Sequence, residues 1–155
     1  MRYWCISTSA KNWEICKANN TWGMDARYFV TLDKFLKAED KAIVYTHGGK
    51  FVADVEFVGK YFYSEEDLGW TKGESRFLFP YRIRFKIIHE SSNPLQISFS
   101  TEERGNKAQW GRPNLIDEIT FIADKGKTWN QYLQVSIIRI TKEDFDAVCK
   151  AIMEN

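Results

Sequence analysis

The sequence predicts an α+β domain: a small curled sheet or barrel with helices packed against it. Three observations lead there. The elements run strand, two short helices, several mostly antiparallel strands, then a closing strand and helix. Gly48-Gly49 lies between the apolar runs Ala42 to His47 and Lys50 to Phe57, as a two-residue hairpin turn would. Aromatic residues reach 15% of the 155 positions, and aromatic side chains suit strands.

Tyr3 to Ser7 reads as the first strand. Ser9 caps a helix running to about Ala18, with Ala10, Trp13 and Cys16 on one face. Asn19-Asn20 ends it, because Asn tolerates the left-handed conformation of a helix exit. Thr31 caps a second short helix through Leu36. After the Gly48-Gly49 hairpin, Phe57 to Tyr63 stays strand-like and residues 64–77 form a polar loop. In Phe79 to Ile88 the residues Tyr81, Ile83, Phe85 and Ile87 share one face, with Arg82, Arg84 and Lys86 on the other. Between Asn93 and Asn114 a loop with a short strand near Ile97 to Phe99 is expected, followed by a helix over Leu115 to Ala123. Gln134 to Ile140 is the last strand. Thr141 caps the final helix, whose Phe145, Val148, Cys149 and Ile152 make one apolar stripe.

The length suits a single domain over residues 1–155 with a proper core. A formal net charge of +1 argues against a protein that coats long nucleic acids by neutralising phosphates. The three cysteines, Cys5, Cys16 and Cys149, form no CxxC and suit buried free thiols in a reducing compartment. No run approaches the ~18 apolar residues of a membrane-spanning helix, and Met1 to Ser7 turns polar too soon for a secretory signal. A cytoplasmic protein, monomeric by default and without membrane contact, is expected.

The six tryptophans carry the functional signal. Trp13, Trp22 and Trp70 border polar turns, and indoles beside Gly, Asn and Ser suit the wall of a site for a flat ligand such as a nucleobase. Trp4 and Trp13 are assigned to the core, Trp22 and Trp70 to opposite walls, and Trp110 and Trp129 to neither. Ser7, Thr8 and Asn12 gather where the first strand meets the first helix. The helix start offers free backbone N–H groups, and Asn12 carries a donor and an acceptor suited to a base edge. Gly23 would let a ligand approach the backbone. Lys11, Arg27, Arg76, Arg82, Lys125 and Lys127 are candidates for positioning phosphates. His47 and His89 lack metal-ligand spacing and read as surface residues. No nucleophile elbow, P-loop or dinucleotide fingerprint occurs. No catalytic residue, metal site or cofactor is assigned.

Tyr3-Trp4, Asn12-Trp13-Glu14, Trp22-Gly23, Asp40 to Tyr45, Phe79-Pro80-Tyr81-Arg82 and Ser136 to Phe145 together resemble the EVE domain. That family belongs to the PUA-like superfamily and is similar to the YTH domain. The resemblance spans nearly the whole chain. It implies a PUA-like curled mixed sheet, and a concave pocket that takes one flipped-out modified base, of the methylated cytosine or adenine class, from DNA or RNA. On that resemblance Ser7, Thr8 and Asn12 contact the base edge, Trp22 is the first cage tryptophan, and Gly23 presents backbone to the ligand. Trp70 forms the second wall, and Tyr45 and Tyr81 line the floor. Lys127 and Trp129 lie near the segment that meets backbone phosphate. Longer EVE proteins carry Trp-Asp-Gly-Val-Arg-Asn beside the pocket, where this chain has Trp22-Gly23-Met24-Asp25-Ala26-Arg27.

The expected function is therefore a binding module that reads a modified base in an aromatic pocket, with Trp22→Ala abolishing binding and sparing the fold. Two alternatives stand beside it. One is an enzyme acting on RNA or a nucleotide, with Asp25 or Asp40 as base. The other is a protein-interaction accessory of a restriction or toxin–antitoxin system, marked by exposed aromatics.

Overall fold

The computed structural model describes residues 1–96, 118–121 and 136–154. The chain runs β1 (Tyr3–Thr8), α1 (Ala10–Asn19), β2 (Thr21–Met24), two consecutive helical turns (Ala26–Tyr28 and Thr31–Phe35), β3 (Lys41–Thr46) and β4 (Lys50–Tyr63). A small hairpin, β5 (Thr71–Lys72) and β6 (Ser75–Arg76), precedes β7 (Tyr81–Gln96), β8 (Ile137–Ile140) and α2 (Lys142–Met153).

Six strands form one mixed sheet in the order β2-β7-β4-β3-β1-β8, which curls into a half-barrel. Among the described strands only β1 and β3 pair in parallel, from Tyr3 opposite Lys41 to Thr8 opposite Thr46; the other neighbours in this sheet are antiparallel. The long β4–β7 ladder shifts register between Phe51 and Ala53, between Asp54 and Val55, and between Val58 and Phe62. Such irregularities bend strands and sharpen their twist.

Strand alternation buries both faces. Trp4, Ile6, Ala42, Val44, Val55 and Phe57 face one core, which Trp13 and Cys16 of α1 and Leu32 and Leu36 close. Cys5, Ile43, Tyr45 and Phe51 face the other, beneath Phe145, Val148, Cys149 and Ile152 of α2. The caps follow the sequence. The Ser9 side chain accepts from Asn12 N, and Asn20 leaves α1 at φ 50°. Thr141 caps α2 by accepting from Asp144 N. Gly48 and Gly49 both take positive φ in the β3–β4 turn.

Several expectations need correction. Trp22-Gly23, expected only to border a polar turn, lies within a strand, β2, which pairs with β7 through Trp22 opposite Ile83 and Gly23 opposite Arg82. The helical stretch after it starts before Thr31, because the Asp25 carboxylate accepts from Arg27 N and begins the turn there. Ala10 is exposed, and buried Asn12 joins Trp13 and Cys16 on the inner face of α1. The 64–77 segment holds the β5–β6 hairpin. Arg82 does not face solvent: it is almost fully buried beneath that segment. β7 also runs on to Gln96, past the expected end at Ile88. The strand near Ile97 to Phe99 and most of the Leu115 to Ala123 helix lie outside the described residues.

Candidate functional site

A cavity of about 380 Å³ opens where β1 ends and α1 begins. Ligand pockets commonly span roughly 300–1,000 Å³. The parallel β1–β3 pair sets its floor. Ser7 and Thr8 end β1, and the chain leaving β3 places His47 beside them, its backbone N–H donating to Thr8 O at 3.0 Å. Ser7 N donates to Ser136 O at 3.0 Å, which brings the start of β8 to the same place. Ser7, Thr8, Ser9, Lys11, Asn12, His47 and Ser136 supply polar lining; Trp22, Gly23, Trp70 and Phe79 supply the flat and apolar lining. Ser7 and Thr8 are buried, and neither hydroxyl has a hydrogen-bond partner among the described residues. Polar groups left unmade at a buried site mark a place where a ligand can complete them.

The wall is assembled from segments far apart in sequence. Gly23 has no side chain, and the Trp70 indole takes that space: a Cβ at Gly23 would lie 2.6 Å from Trp70 Cζ3 and 2.7 Å from Phe79 O. Arg82 lies over the Trp70 ring, 5.0 Å from its centre. Its guanidinium donates to Ser64 Oγ and to the carbonyls of Glu66, Leu78 and Phe79. One buried cation thus ties the whole 64–79 loop to the sheet.

Asn12 locks the same loop from the other side. Its amide nitrogen donates to Thr71 O at 2.7 Å, and its amide oxygen accepts from Thr71 N at 3.0 Å. Asn12 lines the cavity, but this paired bond engages the amide expected to read a base edge. The reason lies 59 residues away in the chain, where Thr71 presents both backbone groups of an extended residue.

Trp22 and Trp70 line the cavity as expected, yet they are only 3% and 2% exposed and belong to the core. The idea that Trp22→Ala would spare the fold is therefore wrong. Truncating a buried aromatic costs about 3–5 kcal/mol. The Trp70 indole lies beside the Cys16 thiol, whose pKa burial pushes up to about 12. The N–H groups of Trp13, Trp22 and Trp70 have no acceptor among the described residues. Trp4, by contrast, donates to Asp40 Oδ2 at 3.0 Å.

Tyr45 and Tyr81 are not brought to this cavity. Tyr45 points to the opposite core and packs against Phe51, because strand alternation puts it on the α2 face. Tyr81 packs against Phe29 and Tyr63 and is not part of the cavity lining. Lys127 and Trp129 lie outside the described residues, as do Trp110 and Lys125. Of the other candidate phosphate contacts, Lys11 is on the cavity lining, Arg27 is exposed nearby, and Arg76 pairs with Asp67 at 2.7 Å.

His47 is exposed, as expected of a surface residue, but it also lines the cavity, which the sequence did not indicate. Nothing in its neighbours marked it; the parallel pairing of β1 with β3 brings it to Thr8. Partial desolvation against the cavity lowers its pKa below the usual histidine value, which favours the neutral imidazole.

The carboxylates suggested as an enzyme base are otherwise employed. Asp40 is buried, and its oxygens accept from Arg2 N, Trp4 Nε1 and Lys37 N. Asp25 caps the turn at Arg27 and meets Lys72 at 3.4 Å. Behind the sheet, buried Asp54 lies 2.8 Å from His89 Nδ1, so His89 is not a free surface residue. Desolvation raises the Asp54 pKa, and its contacts with His89 and Cys149 oppose that rise. Burial also holds the Cys5 and Cys149 thiols protonated. Among the described residues no group of three or more His, Cys, Asp or Glu side chains could hold a metal ion, and no helix is long and apolar enough to cross a membrane.

With this geometry in hand, the chain can be set beside known proteins. No family model matches it. It is 25% identical to UPF0310 protein PH1033 of Pyrococcus horikoshii, over 99% of this chain and all of that protein. Among solved structures, the Mmi1 YTH domain superposes with a TM-score of 0.58 at 15% identity, covering 99% of this chain and 88% of the other. The fold is YTH-like. A structure of the same YTH domain in complex with RNA also gives 0.58, covering 99% of this chain and 78% of that one. A hypothetical protein from Leishmania major gives 0.59 at 10% identity, covering 99% of this chain and 96% of that one.

Proposed function

We propose that this chain is a nucleic-acid-binding module of the EVE type, which takes one flipped-out modified base into the cavity beside Ser7 and Thr8. The observation that carries the reading is the cavity itself: the buried indoles of Trp22 and Trp70, whose N–H groups have no acceptor among the described residues, stand in its lining beside the polar side chains of Ser7 and Thr8. The YTH-like fold supports it, since one of the superposed domains is held in a complex with RNA.

Trp22 and Trp70 supply flat apolar lining, and stacking on an aromatic side chain is worth roughly 1–3 kcal/mol per base. The Ser7 and Thr8 hydroxyls meet the base edge. His47, as neutral imidazole, offers a further donor and acceptor. Lys11 and the start of α1 favour the adjoining phosphate. Extruding a base costs a few kcal/mol, which stacking and edge contacts offset. The module reads; it does no chemistry of its own.

The test uses short DNA and RNA oligonucleotides that carry one methylated base, against unmodified controls. Titration into the native protein and into Thr8→Val, which keeps the side-chain shape, gives a direct comparison. Tighter binding of a modified oligonucleotide, weakened in Thr8→Val, supports the reading. Equal and weak affinity for every oligonucleotide rejects it.

A further inference from the structure

Beyond the cavity, a second aromatic cluster lies on the surface. Phe29 sits 5.4 Å from Tyr81 and 6.0 Å from Tyr61, and Tyr63 sits 5.3 Å from Tyr81, ring centre to ring centre. Phe29 is 38% exposed and Tyr63 is 56% exposed. The rings are held in place: Tyr61 donates to Asp33 at 2.9 Å, Tyr63 donates to Glu65 at 2.7 Å, and Tyr63 faces Tyr81 in the β4–β7 register. Large rings exposed together, yet fixed by hydrogen bonds, form a pre-ordered stacking surface.

Neighbours in the chain and across the ladder link this cluster to the cavity lining along two routes. Gly23, on the cavity lining, precedes Met24, whose partner across the ladder is Tyr81. Tyr28, next to Phe29, accepts from the backbone N–H of Ser136, another lining residue. Cations mark the way. Lys72 lines the cavity and reaches Asp25, whose other oxygen caps Arg27, and exposed Arg27 lies over the Tyr28 ring. Exposed Lys60 and Arg84 lie on the strands that carry the rings. A chain of phosphates leaving the cavity would pass basic side chains and arrive at flat apolar faces. A single-stranded nucleic acid presents that combination, because each unpaired base has a free face. A duplex hides those faces in its own stack.

We propose that the Phe29–Tyr81–Tyr63 cluster is a stacking platform for the nucleotide next to the one in the cavity, which makes the ligand single-stranded. The proposal rests on the cavity reading above. Its test measures fluorescence anisotropy with a short fluorescein-labelled oligoribonucleotide that carries one methylated base, and its methylated DNA counterpart. The protein variants are Phe29→Leu/Tyr63→Leu, which keep apolar bulk and remove the flat faces, and Thr8→Val in the cavity. Melting temperatures and sedimentation of the free proteins accompany each titration. The expected result is roughly five- to one-hundred-fold weaker single-strand binding by the platform variant, as for one lost stacked base, with melting and sedimentation unchanged. If Thr8→Val weakens binding and the platform variant does not, the platform is overturned and the cavity reading stands. If the native protein binds neither oligonucleotide, both fall. If the platform variant alters sedimentation of the free protein, the cluster is a self-association face and the inference is overturned.

Discussion

The Trp70 indole occupies the space that a side chain at position 23 would need: from a Cβ on Gly23 the ring atom Cζ3 would be only 2.6 Å away. The backbone oxygen of Phe79 would be 2.7 Å away, so the added methyl has rigid neighbours on two sides. Gly23 is therefore a packing requirement of the cavity wall.

Gly23→Ala should destabilise the protein by about 1–3 kcal/mol, the usual cost of overpacking. Urea unfolding followed by tryptophan fluorescence checks it, and the folded-state emission should change as Trp70 is displaced. An unchanged midpoint would mean the loop carrying Trp70 yields freely.

The tie between Asn12 and Thr71 should be worth more than its two hydrogen bonds suggest, because it anchors a loop. Asn12→Ala leaves both backbone groups of Thr71 unmatched in a part-buried place, at about 1–3 kcal/mol for an unsatisfied group. Amide hydrogen exchange at Thr71 should accelerate by at least about tenfold, while exchange in the β1–β3 ladder stays near native.

Arg82→Met keeps an apolar stem under Trp70 but removes the donors to Ser64, Glu66, Leu78 and Phe79. Leaving several acceptors unmet should cost at least about 2 kcal/mol. Arg82→Lys should recover only part of it, since one ammonium cannot reproduce the planar fork. Chemical unfolding of the three proteins gives the ranking.

Much of this fold was legible, and the reasons are local. Ser9, Thr141, Asn19-Asn20 and Gly48-Gly49 act on backbone groups within a few residues, so their chemistry can be read in place. The alternation in Tyr81 to Ile87 was readable too, but its polar face was assigned to water. Arg82 departs from that because a loop from residues 64–79 folds back over it, and nothing adjacent to Arg82 announces that loop. The same distance limits the site. Ser7, Thr8, Trp22, Gly23 and Trp70 were identifiable by residue type, and the cavity gathers them. The engagement of Asn12 by Thr71, the orientation of Tyr45 toward α2 and the arrival of His47 beside Thr8 all depend on strand pairing. Residue type marks Trp22 as a wall beside a polar turn; its place in β2 makes it core as well.

The buried Asp54 sets a pH dependence. Desolvation raises its folded-state pKa above its ordinary value near 3.8. The native state then holds the proton more tightly than the unfolded chain. This contribution to stability is fully present below the ordinary value and is lost as pH rises through the folded-state pKa. Asp54→Asn cannot titrate, so its stability relative to the native sequence should increase as pH rises through that window and level off above it. Paired urea denaturation curves from pH 3 upward (about half-unit steps) measure the difference. A constant difference would mean that His89 and Cys149 compensate the carboxylate fully.

The central claim, a base held in the cavity beside Ser7 and Thr8, is met most directly by NMR of the indole N–H signals during titration with a modified-base oligonucleotide. A base stacked in the cavity should shift the Trp22 and Trp70 signals and leave that of Trp4 in place, since Trp4 is bonded to Asp40 in the core. Saturable binding that moves neither Trp22 nor Trp70 would place the ligand elsewhere on the protein and contradict the claim.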